Sequence, residues 1–237
     1  MNYSILKYIL GYVLKIEAAF MLLPCVTSLI YQEKEGRYFF LVSCVCMLLG
    51  VLMTYRKPKN TVFYLKEGCL ATSLSWIILS LFGAIPFWIS GEIPRWEDAL
   101  FETISGFTTT GATILGDVEA LSHTALIWRS FTHWIGGMGV LVFLLAILPL
   151  SGGSSINLMK AESPGPSVGK LVPKVRYTAM ILYTIYFGMT VIEFIFLLAG
   201  KMPLFDALVL PAPEASASKT TVSWAIPHIF NGWLPSL

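Results

Sequence analysis

The sequence predicts an all-α integral membrane protein in which a two-helix hairpin precedes units of spanning helix, short helix with loop, and spanning helix. Three observations carry this. Of the 237 residues, 56% are hydrophobic and 13% charged, against roughly 25% charged in an average soluble domain, and the mean hydropathy is +0.72. The apolar residues fall in blocks long enough to cross a bilayer, for which about 20 residues are needed. One apolar piece instead runs straight into GFTTTGATIL, Gly106 to Leu115, whose hydroxyls suit neither a spanning helix nor an ordinary loop.

The first span is expected from Leu6 to Tyr31, with Lys7, Lys15 and Glu17 in its first half, and no small-residue cleavage site follows it, so it reads as a retained helix. The polar QEKEGR turn, Gln32 to Arg37, leads to a second span over Tyr38 to Tyr55, which stops at the basic RKPKN; residues 1–60 form the hairpin. A third span over Gly68 to Ile89 carries Pro86 near its end, where a missing N–H should kink or loosen the last turn. Trp96 to Phe107 is too short to cross and reads as a re-entrant or core helix. A fourth span is expected over Thr124 to Leu150, so residues 61–150 make one complete unit. A Gly/Ser/Pro-rich loop occupies residues 151–175, and a fifth span, Tyr177 to Ala199, opens a second unit over 176–208. The KMPLFDAL that follows is similar to the WEDALFE ahead of the threonine run.

Charge placement orients the chain. With the N-terminus cytoplasmic, Arg56, Lys57, Lys59, Lys66, Lys160, Lys170, Lys174 and Arg176 fall on one side, and Lys34, Arg37, Arg95 and Lys201 on the other among many acids. The positive-inside rule selects this N-in arrangement. The threonine run then faces outward, rimmed by Glu92, Glu97, Asp98, Asp117 and Glu119, acids that raise the local cation concentration. A formal charge of +2 without a basic stripe excludes a nucleic-acid partner. Cys25, Cys44, Cys46 and Cys69 lie in or beside apolar runs with no C-x-x-C pair, which argues against a disulfide framework or a zinc site.

Irregular backbone at membrane depth is tolerated only where protein or a water-filled cavity satisfies it. Spanning helix, short helix, Thr/Gly loop and spanning helix is the plan of a pore loop, whose carbonyls replace the hydration shell of a cation. Gly111 permits φ > 0, so that adjacent carbonyls can share a side. The hydroxyls of Thr108, Thr109, Thr110 and Thr113 can add oxygen ligands or brace the loop, and oxygen donors without fixed carboxylates suit a monovalent cation. The alternative is a polar exit turn after an interfacial helix; the flanking spans and the second WEDAL-like entry favour the pore.

FETISGFTTTGATIL followed by WRSFTHWIGGMGVLVFLLAILP resembles the first pore loop and following helix of the TrkH/TrkG/KtrB family of bacterial potassium uptake proteins. The resemblance runs from the N-terminus to Leu208, and the leading hairpin is similar to the extra domain of the TrkH branch. It implies a potassium-channel-like transporter fold: four helix, pore-loop, helix units around one potassium pathway, each filter strand centred on a glycine. Gly111 matches the first such glycine, with Thr109, Thr110 and Ala112 as carbonyl-donating neighbours and the potassium ion held by the Thr110 and Gly111 carbonyls. Thr108, Thr113 and Glu102 are the expected filter supports. The resemblance further implies potassium uptake across the bacterial inner membrane, driven by the membrane potential or by a symported ion, as the membrane subunit of a Trk system. A dimer of this subunit and a cytoplasmic nucleotide-binding, TrkA-like regulatory subunit are implied as well, with no cofactor and no enzymatic activity.

The chain departs from that pattern after Leu208. In place of a second filter it reads VLPAPEASASKTTVSWAIPHIFNGWLPSL. Back-translating Leu210 to Trp224 with permitted codons and reading from each third base gives AGTGSFGIKNDSIL as one available translation, continuing GYTSHIQWV. The first part is similar to the family's second filter. The expectation is therefore that residues 209–237 are out of frame and the protein incomplete as given, a chain that conducts only with the missing units.

Other polar residues have plainer readings. His133 and Trp134 in HWIGGMG are expected to pack, His133 by a hydrogen bond, with Gly136, Gly137 and Gly139 allowing close approach to the pore loop. Arg129 is expected to snorkel or to pair with Asp117 or Glu119, and Glu193 to face a cavity wall. Trp76, Trp88, Trp96 and Tyr55 suit interface anchors. Two other functions are weighed: a non-conducting membrane fragment, and a membrane-embedded hydrolase using Glu102, His123 and His133, which lacks any nucleophile motif or metal spacing.

Overall fold

The computed structural model describes residues 3–56, 58, 65–118, 120–139 and 175–209, and among these helices are the sole regular elements. In chain order they are α1 (Tyr3–Phe20), α2 (Leu22–Tyr31), α3 (Gly36–Thr54), α4 (Leu65–Ser90), α5 (Trp96–Phe107), α6 (His123–Met138), α7 (Val175–Ala199) and α8 (Leu204–Val209). Among the described residues four segments are long and apolar enough to cross a membrane: Tyr3–Tyr31, Gly36–Thr54, Gly68–Ser90 and Met180–Ala199.

The expected first span is two helices meeting at Met21. Pro24 explains the break, since its ring displaces the carbonyl four residues earlier, that of Phe20 at the end of α1. α4 continues through Pro86 to Ser90. The hairpin closes where Gln32 turns left-handed at φ 56° and donates its N–H to the Ser28 carbonyl. The Ser28 hydroxyl then donates to the Glu33 carbonyl at 2.7 Å. Across the hairpin, Ser43 Oγ donates to the Ala18 carbonyl at 2.7 Å.

Phe39 from α3, Phe87 from α4 and Trp128 from α6 are fully enclosed and meet edge to face, joining hairpin and following unit in one core. Trp128 Nε1 donates to the Gly83 carbonyl at 3.0 Å, which satisfies its polar edge at depth. Trp76, expected as an interface anchor, instead packs edge to face on Phe107, whereas Trp88 and Trp96 bridge the end of α4 and the start of α5.

The described part of the expected fourth span is α6, which closes at Met138, where Gly139 takes φ 70°. Residues 140–150, the loop at 151–174 and the proposed out-of-frame stretch from residue 210 onward lie outside the described residues, as do Lys57, Lys59 and Glu119. The expected second entry, KMPLFDAL, forms α8 beside the start of α6: Phe205 meets His123 edge to face at 4.7 Å and Tyr31 at 5.4 Å.

Candidate functional site

The threonine run begins where α5 stops, and the way α5 stops shapes it. Arg95 enters in extended conformation, and Glu97 and Asp98 in the first turn complement the positive end of the helix dipole. At the other end the Thr109 N–H donates to the Gly106 carbonyl and the Thr110 N–H to the Ser105 carbonyl, both at 3.0 Å. These two bonds make a Schellman motif, in which the residue after the cap is left-handed and usually glycine. Here it is Thr109, at φ 53°. Thr108 Oγ1 bonds back to the Ile104 carbonyl at 2.7 Å and shares a hydrogen bond with Thr110 Oγ1 at 2.8 Å. The chain thus leaves the negative end of the α5 dipole in a fixed direction, a setting that favours a cation.

Gly111 follows at φ 71°, a second left-handed residue two positions on. The positive φ expected of Gly111 is therefore present, while that of Thr109 escapes sequence reading because a β-branched residue rarely adopts it. Thr108, Thr109, Thr110, Ala112 and Thr113 are exposed and Gly111 half-buried, so the strand presents one open face.

Beneath that strand lies Glu102, its side chain fully buried. Its Oε1 accepts from Arg129 Nε at 2.5 Å. Its Oε2 accepts from Thr113 Oγ1 at 3.1 Å and from the Ile114 N–H at 3.2 Å. Thr113 Oγ1 in turn accepts from the Leu115 N–H at 3.1 Å. One carboxylate so ties the short helix, the far end of the loop and α6. Arg129 pairs with Glu102, an acid its sequence neighbourhood did not suggest, because it lies on the α6 face that packs on α5; Glu119 lies outside the described residues.

Close packing of α5 on α6 makes this possible. A Cβ at Gly106 would strike the Thr132 hydroxyl, and one at Gly136 the Phe107 carbonyl oxygen. Gly137 lies against the Tyr186 phenol of α7 instead, and that phenol donates to the Trp134 carbonyl at 3.2 Å. His133 is buried, and its Nδ1–H donates to the Arg129 carbonyl at 2.9 Å.

The N-terminal end of α6 is held from the hairpin, an arrangement no sequence signal announced. Ser122 caps the helix, accepting from the Ala125 N–H at 3.2 Å. Glu33, in the polar turn of the hairpin, reaches the same end. Its carboxylate accepts from the His123 N–H at 2.9 Å, His123 Nδ1 at 2.8 Å, the Thr124 N–H at 2.9 Å and Thr124 Oγ1 at 2.6 Å. Burial alone would push Glu33 up, but the bonds from Thr124 and His123 outweigh it and hold its carboxyl below the ordinary carboxylate value. Tyr31 stacks on the His123 ring at 4.1 Å. A carboxylate at a helix N-terminus also complements the dipole.

Glu102 bonds to Arg129, Thr113 and Ile114, His123 to Glu33, and His133 to the Arg129 carbonyl. Among the described residues no group of three or more His, Cys, Asp or Glu could hold a metal ion. Glu193 is exposed on α7 among the described residues. Of the expected acidic rim, Glu92 Oε2 accepts from the Ser122 N–H at 3.3 Å and Asp98 faces the exposed Arg95 at 3.9 Å.

Comparison with known proteins agrees with this architecture. The sequence profile of the TrkH family, described as a cation transport protein, matches residues 35–209. The Trk system potassium uptake protein TrkH of Salmonella typhimurium is 37% identical over 213 residues, covering 88% of this chain and 44% of that protein. The Trk system potassium uptake protein TrkG of Escherichia coli is 34% identical over 207 residues, covering 86% of this chain and 43% of its own length. The crystal structure of the potassium transporter TrkH from Vibrio parahaemolyticus superposes with a TM-score of 0.72 at 28% identity, covering 98% of this chain and 50% of that one. The chain therefore spans a little under half the length of these curated relatives. With a family profile over most of its length and relatives above 30% identity, the chain belongs to the TrkH family of cation transport proteins.

Proposed function

We propose that this chain carries the first filter strand of a Trk-type potassium uptake protein, with Thr109, Thr110, Gly111 and Ala112 as the strand and Thr108, Thr113 and Glu102 as its supports. The observation that carries this reading is the Glu102 carboxylate, which fastens the loop at Thr113 and Ile114 to Arg129. A loop anchored at its far end and capped at its near end keeps its carbonyls in one arrangement. That is what replacing a cation's hydration shell requires. The ion is potassium, contacted through the Thr110 and Gly111 carbonyls. It would move inward under the membrane potential or with a symported ion.

The same reading places the protein in the inner membrane, N-terminus inside, with residues 1–60 as hairpin, 61–150 as first unit, 151–175 as cytoplasmic loop and 176–208 as the start of a second unit. One strand does not encircle an ion. Conduction is therefore assigned to an assembly that contains the further units, working as a dimer with a TrkA-like nucleotide-binding subunit. Residues 209–237 are read as out of frame, since their shifted translation supplies the next filter. The test is growth at low potassium of cells lacking potassium uptake. A gene with the frame restored and its downstream sequence should rescue growth, whereas the chain as given should not. Rescue by neither, with both proteins present in the membrane, would count against the reading.

A further inference from the structure

A carboxyl with no partner lies where the hairpin meets the unit behind the filter strand. Glu17 of α1 is 1% exposed, and among the described residues neither of its oxygens has a hydrogen-bond partner. It lines a small pocket with Leu79 of α4, Phe107 of α5, Trp134 and Ile135 of α6 and Tyr183 of α7. Even the backbone is close: a Cβ at Gly83 would stand 3.5 Å from Glu17 Oε1. Phe107 is the last residue of α5, next in the chain to Thr108, so the pocket lies directly behind the start of the filter strand.

The contrast with Glu102 shows what Glu17 lacks. Both are about equally buried, but Glu102 has Arg129, Thr113 and the Ile114 N–H. An enclosed carboxylate without such partners carries a large desolvation cost, which is removed if the group is neutral.

The surroundings offer no compensating charge among the described residues. The Cys46 thiol of α3 and the Tyr183 phenol of α7 face this region, and neither side-chain type brings a positive charge. Lys15 of α1 turns its ammonium over the Tyr12 ring. Arg129 of α6 is held by Glu102, and His133 of α6 is bonded to the Arg129 carbonyl. The residues that α4 and α5 contribute to the pocket, Leu79 and Phe107, are apolar.

We propose that Glu17 is a proton-binding site at the joint between hairpin and pore unit. It takes its proton from water and keeps it while the two bodies are packed together. The proton is released to water only when the joint opens, because the carboxylate left behind then gains a hydration shell. Loss and gain of this proton therefore report, and bias, how tightly the hairpin seats behind Phe107. The inference concerns the charge state of one residue and stands apart from the potassium reading.

Infrared spectroscopy of the chain in phospholipid vesicles at neutral pH tests it. The spectrum should contain the carbonyl stretch of a protonated, weakly hydrogen-bonded carboxylic acid, lost in Glu17→Gln and retained in Glu193→Gln. If Glu17→Gln does not fold, the unsubstituted chain still decides: the band should shift only slowly on transfer to deuterium oxide, as an enclosed acid exchanges by opening. Carboxylate bands alone at neutral pH would overturn the proposal. So would an acid band that Glu17→Gln leaves in place, or one that disappears on adding potassium and marks a cation site instead.

Discussion

Glu102 and Arg129, 27 positions apart, meet as a buried ion pair on which the Ile114 N–H also depends. Two charges removed from water together are tolerated because each has the other, and removing one strands its partner.

Glu102→Gln should therefore lower stability by about 3 to 5 kcal/mol, the usual cost of breaking a buried pair from one side. Chemical unfolding in detergent measures this directly. A loss below about 1 kcal/mol, the range of exposed pairs, would mean that Arg129 finds water readily.

Gly106 and Gly136 set the approach of α5 to α6, and at Gly136 a substitution should act on backbone, which cannot swing aside. Gly136→Ala places its methyl on the Phe107 carbonyl oxygen and should cost about 1 to 3 kcal/mol, as overpacking does. Gly137→Ala meets only the Tyr186 phenol end and should cost less. Paired thermal melts that reverse this order would refute the packing account.

Glu33 gives the fold an acid-sensitive fastening. Its carboxyl is held below the ordinary value in the folded chain, so the stability it adds is complete above that ordinary value. That contribution is lost as pH falls through the lowered folded value. The unfolding midpoint of the wild-type chain should drop over this acidic window, and Glu33→Gln should be less stable at neutral pH with a flatter acid limb. Parallel acid limbs for the two proteins would exclude the fastening.

Thr109 sits left-handed at φ 53°, a conformation that costs a β-branched residue about 1 kcal/mol or more. Thr109→Gly should raise the melting temperature accordingly, since glycine is the ordinary occupant of that cap position. An unchanged or lower value would show that the threonine side chain compensates locally.

How much of this was legible in the sequence depended on whether the signal was local. The bounds of α5, Trp96 to Phe107, could be read directly, because an apolar run too short to cross ended at a polar one. The hairpin could be read from the charges of its turn, and the second entry from the repeat at FDAL. Contacts between distant positions could not be read: Glu102 stands 27 positions before Arg129, and Glu33 was invisible as a cap because α6 begins 90 positions later. Pro24 was present in the first span, but its apolar neighbours hid the break at Met21. The left-handed Thr109 was masked by its own identity, since only glycine announces that geometry.

The central claim is that the strand around Gly111 selects potassium, and the discrimination between potassium and sodium tests it most directly. Uptake of both ions should be measured in cells expressing the frame-restored gene, with and without Gly111→Ser. A side chain at φ 71° must distort the strand, so the account predicts preserved membrane insertion with a marked loss of preference for potassium. A Gly111→Ser protein that takes up potassium with unchanged rate and unchanged preference would contradict it.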